Sequence, residues 1–234
     1  MKIKTIGSGS SGNCYLIDDG QTQLLLECGL PIKKIKAGCD YDFSRVAGCL
    51  ITHEHGDHAK AANDLMRAGV NVWMTEGTAR AAGADVYRLK LFKRIRPNDC
   101  YFTETIGTFA ILAFPVHHDA AEPVGYLVHS GATGEKLLYV TDTQYIDYRF
   151  SGLTHVMVEA NFSSETLADP DNDPRRRRLR RTHMSIENTL KMLQANDLSK
   201  CKRIYLIHLS QTNADAEEFV RRVETETGVP TSAA

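Results

Sequence analysis

His53-Glu54-His55-Gly56-Asp57-His58 places three imidazoles and a carboxylate within six consecutive residues. The apolar run Gly48-Cys49-Leu50-Ile51-Thr52 leads directly into it, and the Ala/Leu/Met-rich stretch from Ala59 to Ala68 follows directly. The hexad therefore lies where a strand stops and a helix starts. Polar side chains packed this densely repel or go unsatisfied unless something cationic ties them together. In an extended segment His53, His55 and Asp57 point to one side, and the turn into the helix aims Asp57 and His58 differently. One strand end can thus feed two neighbouring metal sites. Imidazole and carboxylate without thiolate suit Zn²⁺ best, with Mn²⁺ or Fe entering as the donor set hardens.

Two sites need more ligands than the hexad holds. His118 follows Ala113-Phe114-Pro115-Val116-His117, Asp142 follows Leu137-Leu138-Tyr139-Val140-Thr141, and His208 follows Ile204-Tyr205-Leu206-Ile207. Any one of these alone would more often be a satisfied core or surface residue than a ligand. Their shared placement, each just after an apolar strand, reverses that balance. His117 remains an alternative to His118 on spacing alone.

The surrounding chain alternates short strands with helices. Strands are expected at 2–6, 14–17 and 23–27, with Asp18-Asp19-Gly20 as a hairpin turn, and Pro31 is expected to open a short helix. A strand over 48–52, a helix over 59–68 closed by Gly69, a strand over 70–74 and a helix capped by Thr75 follow. Further strands are expected at 101–105, 108–115, 124–129, 136–140, 155–159 and 203–208. Helices are expected at 185–195, with Ile186, Leu190 and Leu193 on one face, and at 215–225. The segment 169–181 has no apolar periodicity and reads as an exposed loop. Two similar halves, each a sheet with helices outside, could pack sheet against sheet as an α/β sandwich; a doubly wound sheet shares much of the pattern.

A net charge of −1 argues against a protein that binds polyanions through its overall charge. The average conceals a local extreme, because Arg175, Arg176, Arg177, Arg178, Arg180 and Arg181 are six of seven consecutive residues. The rest of the chain holds the remaining 22 of 28 basic residues against 29 acidic ones, so a nucleic-acid partner would meet one focused patch. The six cysteines are scattered with no C-x-x-C pair and mostly sit in apolar runs, as buried reduced thiols do. No run approaches the roughly 18 apolar residues of a membrane span, and the N-terminus is too weakly apolar for a signal peptide. The expectation is a cytoplasmic protein.

The ordered set of the hexad, His118, Asp142 and His208 resembles the five-motif signature of the metallo-β-lactamase superfamily across nearly the whole chain. Gly7-Ser8-Gly9-Ser10-Ser11-Gly12-Asn13, His118-Asp119-Ala120, Glu122-Pro123-Val124-Gly125 and Glu159-Ala160-Asn161 resemble its small YycJ/WalJ-like subgroup. That resemblance implies the metallo-β-lactamase fold, a four-layer αββα sandwich in a single domain over 1–234 with the site at one edge, and an association with nuclease activity. It implies that His53, His55 and His118 hold one metal, that Asp57, His58 and His208 hold the second, and that Asp142 bridges; the His-Asp-Ala match favours His118 over His117. Three positions depart from the pattern: Glu27 stands where Asp is usual, Phe162 where His is common after Glu159-Ala160-Asn161, and Thr182-His183-Met184-Ser185 replaces a Gly-His-Leu-Ser-like segment.

Two cations about 3.5–4 Å apart can hold a bridging hydroxide and stabilise an increasingly anionic substrate. The expectation is a metal-dependent hydrolase acting on DNA or RNA, with Asp57 and Asp142 at the reacting centre and His183 as general acid or phosphate contact. The six arginines and Asn161 are the expected substrate contacts. A small-molecule hydrolase, such as a thioesterase or lactonase, would use the same site without needing the arginines. A non-catalytic module stabilised by its metals is the third reading, disfavoured because structural zinc sites are closed and often contain Cys.

Overall fold

Asp18-Asp19-Gly20 turns the chain as its residue types demand, with Gly20 at φ 95° and its N–H donating to Asp18 Oδ1 at 2.7 Å. In the computed structural model, which describes residues 1–96, 99–167 and 173–234, this turn joins β2 (Cys14–Asp18) to β3 (Gln23–Leu26). Strand β1 (Lys2–Gly7) pairs antiparallel with β2. Helix α1 (Ile32–Gly38) leads to β4 (Val46–Leu50), which lies parallel to β3; Pro31 stands just outside the helix as its N-cap instead of opening it. The expected helix over 59–68 divides into α2 (Gly56–Ala59) and α3 (Ala62–Arg67). Strand β5 (Val72–Met74), helix α4 (Glu76–Ala81) and β6 (Leu89–Leu91) complete a sheet ordered β1-β2-β3-β4-β5-β6. Thr75 caps α4 as expected, its hydroxyl accepting from Thr78 N.

Strands β7 (Glu104–Ile106), β8 (Phe109–Pro115) and β9 (Val124–Ser130) form an antiparallel meander. The strand expected from Tyr101 starts later, and Tyr101 makes only an isolated bridge with Arg94. Strands β10 (Lys136–Val140), β11 (His155–Glu159), β12 (Arg203–Ile207) and β13 (Thr231–Ala233) are parallel throughout. Every residue of β11 is buried, which matches the continuous apolar runs of a parallel sheet covered on both faces. The described residues divide into two units, Met1–Pro115 with Ala120–Glu135 and Val116–Asp119 with Lys136–Ala234.

Residues 174–181 correct the exposed-loop expectation, because Pro174–Thr182 is helix α5; 169–172 lie outside the described residues. Asp173 Oδ1 accepts from Arg175 N at 2.8 Å, proline suits the first turn, and arginine is a strong helix former. Capping and propensity make this helix, so it needs no apolar stripe. Helix α6 (Ile186–Ala195) buries Ile186, Thr189, Met192 and Leu193, with Leu190 only partly covered, and α7 (Ala216–Thr227) ends at Gly228 with φ 68°. Three-residue β6 and β13 escape any periodicity argument.

In the first unit Leu25, Cys49, Ile51, Val72 and Met74 share a core with Ile35, Leu65 and Met66. Cys14, Cys28, Cys39 and Cys49 are buried in it, and burial pushes the Cys39 thiol up to about 11. No described helix is long and apolar enough to cross a membrane.

Asp19 ties the β2–β3 turn to the meander. Its Oδ2 accepts from Thr108 Oγ1 at 2.5 Å and Ser130 Oγ at 2.7 Å, and its Oδ1 accepts from the backbone N–H of Gln21 and Thr22. Burial opposes ionisation, but these donors outweigh it and lower the carboxyl from 3.8 to about 2. A depressed folded-state value contributes stability that is complete above 3.8 and lost as pH falls through about 2. Asp19→Ala is expected to cost about 2–3 kcal/mol at neutral pH in urea unfolding, a deficit that shrinks in the acid range.

Candidate metal centre

In the first unit the hexad bends where β4 has ended. The His58 and Ala59 N–H groups both donate to His55 O at 2.9 Å, so α2 begins inside the motif and turns Asp57 and His58 away from the line of His53. His53 Nε2 lies 3.0 Å from His55 Nδ1, the His53 and His58 rings are 4.2 Å apart, and His58 Nε2 is 3.4 Å from Asp57 Oδ2. His53 and His58 are buried. The Gly-Ser-rich segment supports this bend from behind: Asn13 N donates to Asp57 O at 2.8 Å, and Asn13 Nδ2 is 3.3 Å from His58 Nε2. Gly29 is required there, since a Cβ would fall 1.7 Å from the Asp57 carbonyl oxygen.

Glu27 stands at φ 63°, fully buried, with Oε1 3.5 Å from His58 Nδ1 and Oε2 accepting from Thr52 N at 3.2 Å. The longer side chain thus lies beside His58 and bonds the backbone just before the hexad.

In the second unit, three parallel strands run out together. The register Val140↔Val158 and Glu159↔Ile207 sets the ends of β10, β11 and β12 side by side, and presents Asp142, Glu159 and His208 along one edge. Asp142 and His208 adopt φ of 48° and 53°, like Glu27 a non-glycine residue in the left-handed region just past a strand. Such conformations cost about 1–3 kcal/mol each and persist where surroundings impose them, often at functional sites. Ligand atoms of Asp142, Glu159, His183 and His208 all lie within 4.8 Å of one another, and all four residues are buried. His183 Nδ1 is 2.5 Å from Glu159 Oε1, and Glu159 Oε2 accepts from Thr143 N and Met184 N. His208 Nε2 is 3.5 Å from Asp142 Oδ1.

His118 comes to the same edge, with Nε2 3.7 Å from Asp142 Oδ2. Its Nδ1 donates to Thr182 O at 2.8 Å, which fixes the tautomer that carries its lone pair on Nε2. Burial lowers its pKa against the opposing charge of Asp142, and this favours the neutral imidazole that ligates metals. His117 instead sends Nε2 to within 2.7 Å of Asp147 Oδ2. Two buried carboxylates among imidazoles call for positive charge, and the donors present in each unit fit a divalent cation.

The predicted substrate contacts separate. Arg177, Arg178 and Arg181 line a cavity of about 620 Å³ together with His117, His118 and Asp119. Arg178 Nε donates to Asp119 Oδ2 at 2.7 Å. Arg180 is turned the other way and donates to Leu167 O at 2.7 Å, while Arg176 Nε is 3.8 Å from Asp173 on its own helix and Arg175 is exposed. Asn161, expected to touch substrate, is buried and donates to His208 O at 2.8 Å, so it positions His208. Phe162 is buried and its carbonyl accepts from Ile186 N at 2.8 Å, a role in which no imidazole is needed. Thr182 and Thr143 support the site through backbone contacts that carry no residue-type signal, whereas Gly29 and Asn13 act through their residue types; Glu159 closes a strand with the apolar run Val156-Met157-Val158, and a carboxylate in that place was the available clue.

Removing the carboxylate behind His58 tests its supporting role. Glu27→Gln is expected to weaken divalent-metal affinity about 10- to 100-fold while the fold is retained, read by competition with a chromophoric chelator and by circular dichroism.

Residues 30–209 match the family model described as the beta-lactamase superfamily domain. The exodeoxyribonuclease YycJ of Bacillus anthracis is 29% identical over 91% of this chain and 84% of its own length. The exodeoxyribonuclease WalJ of Streptococcus pneumoniae is 30% identical over 91% of this chain and 83% of its own. Among solved structures, the metallo-β-lactamase fold protein YhfI of Bacillus subtilis superposes with a TM-score of 0.73 over 99% of this chain and 95% of that one, at 15% identity. The four-layer αββα class expected from the sequence is the fold of this group. The chain belongs to the metallo-β-lactamase superfamily, in the subgroup that contains YycJ and WalJ.

Proposed function

We propose that this chain is a dinuclear metal-dependent phosphodiesterase that degrades DNA. The observation that carries the reading is the cavity in which Arg177, Arg178 and Arg181 share walls with His118, because phosphate-binding cations there border a metal-ligating imidazole. The names of YycJ and WalJ, both exodeoxyribonucleases, support DNA as the substrate. By the superfamily resemblance, His53, His55 and His118 would hold one ion, Asp57, His58 and His208 the other, and Asp142 would serve both, with zinc the first choice and manganese the second. Such ions, when bound, would activate water at neutral pH and offset the charge that builds on the phosphate oxygens. Buried thiols suit a reducing, cytoplasmic setting.

The side chains do the remaining work. Arg177 and Arg181 hold phosphates of the strand, while Arg178 is braced by Asp119. Glu159 accepts the Nδ1 proton of His183, so that His183 exchanges protons at Nε2, where it would protonate the leaving oxygen. The Glu159 carboxylate, held by two backbone N–H groups, keeps that ring oriented.

Labelled single- and double-stranded DNA and RNA, incubated with the protein and Zn²⁺ or Mn²⁺, test the assignment. DNA is expected to be degraded, and Asp57→Ala to reduce the rate more than about 100-fold, beyond the 10- to 100-fold typical of supporting residues. Cleavage that persists in Asp57→Ala would refute the assignment of Asp57 to the reacting centre. Changing Arg177, Arg178 and Arg181 together to Gln is expected to weaken DNA binding and lower its salt slope by about 0.7–0.9 per lost phosphate contact. Hydrolysis of bis-p-nitrophenyl phosphate should be spared by the same change; a small-molecule hydrolase would show no DNA effect at all.

A further inference from the structure

Five of the seven large apolar side chains left exposed among the described residues lie in one stretch of the first unit, from Val86 to Phe102. The same stretch holds five basic residues, Arg88, Lys90, Lys93, Arg94 and Arg96, against one acidic residue, Asp99. Arg94 is engaged by Glu122 and Arg88 by Asn71. Lys90, Lys93 and Arg96 are exposed and enter no ion pair among the described residues.

The backbone here is also incompletely paired, because β6 is the last strand of its sheet. Val72 N donates to Arg88 O and Phe92 N to Met74 O, each at 3.0 Å. The even-numbered residues therefore turn their backbone groups to β5, and Leu91 turns its own to the open side. Further along, Phe102 N donates to Lys93 O at 2.9 Å and Ile95 N to Cys100 O at 3.1 Å. The segment 100–102 thus covers 93–95, and no described strand covers Leu91. In these paired segments Arg94 and Tyr101 face inward, where Tyr101 is buried and both donate to Glu122 Oε1 at 2.8 Å. Their sequence neighbours Ile95 and Phe102 face solvent, 47% and 53% exposed. Glu122 Oε2 accepts from Gly77 N at 2.6 Å, so this face is held in place before anything binds.

We propose that the β6 edge and the paired segments 93–95 and 100–102 dock an extended peptide of a partner protein, one in which acidic residues alternate with apolar ones. The peptide's backbone extends the sheet at Leu91, its carboxylates meet Lys90, Lys93 and Arg96, and its apolar side chains cover Ile95 and Phe102. A second copy of the chain docked edge to edge would set like charges against each other. A lipid surface would leave the Leu91 N–H and C=O without hydrogen-bond partners. Phosphates of DNA would neutralise the cations but leave Ile95 and Phe102 in water. Charge that only guards an edge against aggregation replaces apolar side chains, whereas here the two are interspersed. The proposal does not depend on the nuclease reading.

Random dodecapeptides displayed on phage, selected on the full chain and resynthesised with fluorescein, are the probe. Selected peptides are expected to be net acidic with interspersed apolar residues, and to bind in fluorescence anisotropy. Ile95→Ser with Phe102→Ser is expected to weaken that binding about 5- to 30-fold. Lys90→Glu with Lys93→Glu should weaken it at least as much and should favour the same peptides carrying Lys in place of Glu. Methylating alternate backbone nitrogens of a peptide should abolish binding in one register and spare it in the other, because an added strand points only every second N–H at its neighbour. This last comparison needs no variant of the protein; circular dichroism shows that the variants used in the others are folded. No enriched peptide, enriched peptides without net negative charge, binding indifferent to both pairs of substitutions, or equal binding by the two methylated registers would overturn the proposal. Binding of duplex DNA or phosphatidylglycerol vesicles that is lost in Ile95→Ser with Phe102→Ser would overturn it as well, by assigning the face to that partner.

Discussion

Parallel pairing of β10, β11 and β12 in a register that ends them together is the constraint on which the chemistry of the second unit depends. A parallel ladder leaves the strand ends along a single edge, and whatever residue follows each strand is aimed from there. Asp142 and His208 both turn into the left-handed region at that edge, which breaks the strand and swings their side chains toward Glu159 and His183. Glu27 does the same past β3 in the first unit. Each turn is costly for a residue with a Cβ, so the surrounding hydrogen bonds must hold it; Thr141 Oγ1 donating to Asp142 Oδ1 at 2.7 Å is one of them.

Electrostatics separates the inner site from its approach. Inside, buried carboxylates at Asp142 and Glu159 lie beside imidazoles whose other nitrogens are held by backbone and carboxylate oxygens. Outside, α5 carries arginines that are largely exposed, and only three of the six face the cavity beside His118. Its cap at Asp173 and the turn of Arg180 to Leu167 O fix which faces of the helix point inward. A helix with its final turn at Thr182 also delivers that carbonyl to His118 Nδ1, so the basic element and His118 are parts of one arrangement.

The hexad, His118, Asp142 and His208 are legible in the sequence because each is a polar residue placed directly after an apolar strand, a position where chance and packing rarely put one. Strands with full apolar runs and helices capped by Thr75, Ser185 and Asp215 are legible for similar local reasons. Helix α5 is not, because six arginines around one leucine erase the 3.6-residue pattern while leaving propensity and capping intact. Glu159 reads as the polar end of a strand until parallel register brings it beside His183 and His208.

Catalysis of the proposed kind requires His/Asp donors that hold two cations. Metal content of the purified chain, equilibrated with Zn²⁺ or Mn²⁺, dialysed and measured by inductively coupled plasma mass spectrometry, tests that requirement most directly. Two divalent ions per chain, reduced on substitution of His118 or Asp142 by alanine, is the outcome expected from the assigned ligands. A chain that retains no ion, or whose bound metal is indifferent to both substitutions, would contradict it.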